Sequence, residues 1–77
     1  MNIGVKIREL RKRRGVTQEQ LANSIGISFQ AVSKWENGVA LPDISLVTVL
    51  ASYFGVSTDE LLDFSLTHRD DTVRLFD

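Results

Sequence analysis

Thr17-Gln18-Glu19-Gln20-Leu21-Ala22-Asn23-Ser24-Ile25-Gly26-Ile27-Ser28-Phe29-Gln30-Ala31-Val32-Ser33-Lys34-Trp35-Glu36-Asn37-Gly38 is the stretch whose reading decides the fold. It opens with a capping box, Thr17 followed three residues later by Gln20, which marks the start of a helix carrying Leu21, Ala22 and Ile25. Gly26 ends that helix, because glycine accepts a positive φ without steric cost. Ser28 caps a second helix that runs to about Asn37, with Gly38 after it. Two helices joined by so short a turn cross steeply and need a small residue where their backbones meet, which Ala22 supplies. Val32 and Trp35 are the apolar anchors that face back onto the first helix, and Leu21, Ile25 and Ile27 complete the buried side. The spacing is that of a helix-turn-helix unit.

The residues left over on the second of these helices carry the chemistry. Phe29, Gln30, Ser33, Lys34 and Asn37 occupy positions that packing does not use. Glutamine can bond adenine in bidentate fashion, lysine can reach guanine, and an apolar ring can meet a thymine methyl. Such a helix enters a major groove with its N-terminal residues at the bases. Gln18 stands at the start of the preceding helix, where backbone N–H groups and the positive end of the dipole suit a phosphate.

Outward from this unit, helix signals continue. Ile3, Ile7 and Leu10 recur at the spacing of one buried stripe, with Asn2 as the expected cap and Gly15 as the stop. Lys12, Arg13 and Arg14 lie in the last turn of that helix, where cations interact favourably with the dipole. Pro42-Asp43 marks a further start, and a helix from about Ile44 to Phe54 ends at Gly55. Leu46, Val47, Leu50, Ala51 and Phe54 are its core face, while Val49 and Tyr53 make it apolar on a second side. Ser57-Thr58-Asp59-Glu60 is a second capping box, opening a brief last helix with Leu61 and Leu62. Residues 65–77 show no periodicity and are expected to be a tail or linker, so the domain is placed at residues 1–64.

Composition sets the outer bounds. Seventy-seven residues make one small domain. There is no cysteine and a single histidine, His68, so no disulfide framework and no metal site is expected, and helix packing must hold the fold. No apolar run is long enough to span a membrane and no signal-peptide layout is seen, so the expected location is the cytoplasm. No Ser/His/Asp set, metal cluster or phosphate-cradling glycine loop is present; no catalytic residue and no cofactor is expected, and the chain is not read as an enzyme. The net charge of −1 hides a division: residues 1–42 carry seven Lys and Arg against three Glu, whereas residues 43–77 carry two against seven acids. Phosphate contacts respond to the local field, so a basic N-terminal half is compatible with nucleic acid.

Taken together, Thr17-Gln18-Glu19-Gln20-Leu21-Ala22, Gly26-Ile27-Ser28, Ala31-Val32-Ser33-Lys34-Trp35-Glu36-Asn37-Gly38 and Leu41-Pro42-Asp43 resemble the phage-repressor/Cro-like (XRE) family of helix-turn-helix regulators. Phe54-Gly55-Val56-Ser57 with Asp59-Glu60-Leu61-Leu62 resembles that family's closing segment, so the likeness covers about residues 2–64. It implies an all-α, five-helix domain with the helix-turn-helix in helices 2 and 3. It implies a transcription regulator, a repressor in the first instance, bound as a homodimer to a palindromic double-stranded operator. Phe29, Gln30 and Lys34 would face base edges, and Gln18, Ser28, Ser33 and Asn37 would approach the sugar-phosphate backbone. Arg11 and Glu36 match positions that form a structural ion pair between helices 1 and 3. Phe29 departs from the polar residue many relatives carry there, and Val39 and Ala40 make the loop after helix 3 less basic than in many relatives. The dimer contact is expected on helices 4 and 5 and the tail, through Val49, Tyr53, Leu61 and Phe64. The acidic half and that second apolar face also suit an alternative, a protein-interaction module of the antitoxin type.

Overall fold

The computed structural model describes residues 3–62, which form five helices and, among the described residues, no strand. They are α1 (Ile3–Arg14), α2 (Gln18–Ile25), α3 (Phe29–Glu36), α4 (Ile44–Phe54) and α5 (Thr58–Leu62). Asn2, Phe64, the boundary at residue 64 and the tail at 65–77 lie outside the described residues.

Local chemistry sets the ends of these helices. Thr17 Oγ1 accepts from the Gln20 backbone N–H at 3.0 Å, and the Gln20 side chain accepts from the Thr17 N–H at 2.9 Å, so the capping box at α2 is closed. Ser28 Oγ accepts from the Ala31 N–H at 3.3 Å, and Asp43 Oδ1 from the Leu46 N–H at 3.0 Å, starting α3 and α4. Between α2 and α3, Gly26 sits at φ 76° and ψ 34°, and the Ile27 N–H returns to the Ala22 carbonyl at 3.0 Å. That left-handed residue turns the chain within three positions. The box expected at α5 is half made: Ser57 Oγ accepts from the Glu60 N–H at 3.0 Å, but the Glu60 carboxylate stays in water instead of closing it.

The core joins Ile3, Ile7 and Leu10 of α1 to Leu21 and Ala22 of α2, Val32 and Trp35 of α3, Val47, Leu50 and Ala51 of α4, and Leu61 of α5. α3 packs on both α2 and α1, while α5 packs on α1 and α4. Leu61 corrects an expectation. It is fully buried, closing the bottom of the core, and so offers no surface to a second protomer. A five-residue helix buries its one apolar stripe inward first, since the core gains more from it than an outer contact would.

α1 meets α3 through Gly4. A β-carbon at Gly4 would overlap the Trp35 carbonyl oxygen and lie 3.0 Å from its carbon and 3.2 Å from the Glu36 Cα. The absence of a side chain there lets the two backbones touch, and it sets how deeply the C-terminal half of α3 is seated.

Candidate nucleic-acid interface

α3 has two faces. Val32 (fully buried) and Trp35 are held in the core, with Ala31 half-buried beside them. Phe29 is 44% exposed, and Gln30 and Lys34 are exposed. Gln30 and Lys34 are four positions apart, hence neighbours on one helix face. Ser33 is half-buried and its Oγ accepts from Asn37 Nδ2 at 3.4 Å. Ser28 uses an oxygen lone pair for capping and keeps its hydroxyl hydrogen for an outside acceptor.

Beside this face runs a groove of about 630 Å³, lined by Arg11, Lys12, Gly15, Val16, Thr17, Gln18, Glu19 and Phe29. The N-terminus of α2 opens into it. The Gln18 and Glu19 N–H groups have no carbonyl one turn back to bond, as at any helix start. Phe29 forms one wall of the groove, which brings the start of α3 alongside the start of α2.

Behind the groove lies one buried carboxylate. The Glu36 side chain is fully buried and receives hydrogen bonds from three residues on two other helices. Arg11 Nε donates to Oε2 at 2.7 Å and Arg11 Nη2 to Oε1 at 3.0 Å, a forked pair. Arg8 Nε reaches Oε1 at 3.3 Å, and Gln18 Nε2 reaches the same oxygen at 3.1 Å. Burial pushes the Glu36 carboxyl pKa upward; the hydrogen bonds from Arg11, Gln18 and Arg8 and the Arg11 charge outweigh it and hold the group below its ordinary value.

The basic run at the end of α1 therefore divides. Arg11 turns inward, also donating to the Val16 carbonyl at 3.0 Å. Arg14 donates to the Tyr53 carbonyl at 3.0 Å and lies 4.4 Å above the Tyr53 ring. Lys12 and Arg13 are exposed, with no ion-pair partner among the described residues. The family resemblance placed Arg11 and Glu36 together, while Arg8 and the inward bond of Gln18 were missed. Arg8 had a signal, being one turn before Arg11 on the same helix face. Gln18 had none, since its partner is reached only through the crossing of α2 and α3.

A helix-turn-helix family model matches residues 7–61. The chain belongs to the XRE-type helix-turn-helix family. Among curated relatives, the transcriptional activator BcrR of Enterococcus faecalis is 39% identical over 62 residues, covering 80% of this chain and 30% of BcrR. The cryptic phage CTXphi transcriptional repressor RstR of Vibrio cholerae is 36% identical over 69 residues, covering 90% of this chain and 62% of RstR. The chain thus spans less than two thirds of either relative. Among solved structures, the P22 c2 repressor in complex with synthetic operator 9T superimposes with a TM-score of 0.74 at 30% identity, covering 79% of this chain and 92% of that one. In this XRE-type domain, none of the helices among the described residues is long and apolar enough to cross a membrane.

Proposed function

We propose that this domain binds double-stranded DNA sequence-specifically, with α3 in the major groove, and acts as a transcription regulator. The observation that carries the reading is the division of α3: Val32 and Trp35 pin it, while Phe29, Gln30 and Lys34 stand outward from its first two turns. Gln30 and Lys34 supply hydrogen-bond readout of purine edges, and Phe29 supplies apolar contact to a thymine methyl. Gln18, Ser28, Ser33 and Asn37 flank that strip and carry the phosphate contacts, joined by the free N–H groups at the start of α2. The operator complex of the P22 c2 repressor supports the reading by its likeness in fold and length.

A two-fold operator read by a homodimer is the arrangement this family fold suits. Val49, 41% exposed on α4, and the half-buried Tyr53 beside it are the described residues that can contribute to such a contact. Regulatory sign belongs to where the operator lies relative to the promoter, and the relatives include both an activator and a repressor.

Selection from a randomised duplex pool at low salt tests the proposal. It should enrich one half-site, repeated at a spacing near ~34 Å for a dimer. Gln30→Ala should then lose about 1–3 kcal/mol on the selected site and relax one base position. Affinity should fall steeply as salt rises. A pool that enriches nothing overturns the reading.

A further inference from the structure

We propose that Glu36 is a positioning residue for the DNA contact made at Gln18, a role beyond its ion pair with Arg11. The inference rests on the DNA-binding reading above and on the geometry around one oxygen. Glu36 Oε1 lies 3.1 Å from Gln18 Nε2, 3.0 Å from Arg11 Nη2 and 3.3 Å from Arg8 Nε. Every group facing the carboxylate is a donor, and the Glu36 side chain is fully buried. Rotating the Gln18 amide by half a turn would set its carbonyl oxygen against Oε1, acceptor on acceptor, away from water. The carboxylate therefore fixes the nitrogen of Gln18 inward.

That choice matters to a phosphate. An amide nitrogen carries two hydrogens, and one is engaged by Glu36. The second remains a donor, which is the only kind of group a phosphate oxygen can use. Glu36 thus holds the Gln18 side chain in one orientation, with one amide hydrogen left over for the DNA backbone, and it does so from behind, on the helix that carries Gln30 and Lys34. The position of Gln18 is tied to the seat of α3 through a single hydrogen bond.

Charge alone predicts the opposite outcome to positioning. Arg8 and Arg11 against Glu36 leave the cluster net positive, and neutralising Glu36 would make it more so. On field strength alone Glu36→Gln should tighten binding.

A double-mutant cycle on the wild type's selected duplex separates the possibilities: wild type, Glu36→Gln, Gln18→Ala, and both together. The expected result is a roughly tenfold weakening for Glu36→Gln in the wild-type background, the size of one lost hydrogen bond, and little further loss in the Gln18→Ala background. Equal losses in both backgrounds, or a gain, overturn the positioning role. If Glu36→Gln does not fold, the side-chain amide protons of Gln18 in the free wild-type domain decide the matter by NMR. They should exchange with water more slowly than those of exposed Gln30, and equal rates overturn the proposal. Wild type that binds no duplex removes the functional reading and this role with it, whereas the amide exchange still reports on the orientation itself.

Discussion

Arg11 and Arg14 leave the same end of α1 one turn apart and hold it to different helices in different ways. Arg11, with its side chain 12% exposed, grips the buried Glu36 of α3 by two hydrogen bonds. Arg14 remains exposed, lying over the Tyr53 ring of α4 and donating to its carbonyl. Arg11 makes more contacts, but desolvation separates the two more than number does. A charge pair taken out of water is costly to break because the survivor is stranded, whereas a solvated contact gives way to water at little cost. The Arg11 contact of α1 with α3 is thus the costly one to break, and the Arg14 contact of α1 with α4 the cheap one.

The sharpest way to break this contrast is Glu36→Ala. It strands Arg11 in a half-buried site and should cost about 3–5 kcal/mol, much of the stability of a domain this size. Urea denaturation measures it, and a loss below about 1 kcal/mol would put the buried seam in the class of a surface pair. Acid should act on the same group gradually. The folded Glu36 carboxyl titrates below its unfolded value, so its contribution is complete above about pH 4.3 and is lost as pH falls through the lower folded value. Asp43 adds in the same direction, held low by the Leu46 backbone N–H and the Ser45 hydroxyl, but it is exposed and screened. Thermal midpoints should stay level at neutral pH and drop below that carboxylate range. The drop should be shallower in Glu36→Gln.

Gly4→Ala probes the seam from the other side and has a sign to be decided. By helix propensity alone, alanine for glycine gains at most about 1 kcal/mol, the value for a helix interior, and Gly4 is the second residue of α1. Against that, the new methyl meets the Trp35 carbonyl and the Glu36 backbone, and overpacking of this kind costs about 1–3 kcal/mol. A net loss is expected from thermal melts, with Gly4→Val worse. A more stable Gly4→Ala would mean that α1 and α3 can part without penalty.

These residues also show where the sequence is readable. Helix starts at Thr17, Ser28 and Asp43 could be read because a cap is a bond between residues three apart. The division of α3 could be read because its two faces differ in kind, Val32 and Trp35 against Gln30 and Lys34. Gly4 could not: in sequence it is a poor helix former inside a helix, and its reason is a carbonyl on α3. Leu61 misled because a short amphipathic segment does not say whether its stripe meets the core or a partner; packing of α5 on α1 settles it inward. The Arg11–Glu36 pair was reached through family likeness, since no local rule joins α1 to the end of α3.

The smallest expected effect is the complementary test. Arg14→Ala removes an exposed contact above Tyr53, of the kind worth about 0.5–1 kcal/mol. For a domain this size that is a fall in thermal midpoint of roughly 2–8 °C. Arg14→Lys should recover part of it, because an ammonium can still sit over the ring and reach the Tyr53 carbonyl, though without the planar stacking of guanidinium. Added salt should shrink the Arg14 effect while leaving that of Glu36→Ala nearly unchanged, since screening reaches exposed charge and not the buried pair. If both effects fell together with salt, the two seams would be of one kind and the depth of Glu36 would carry no weight.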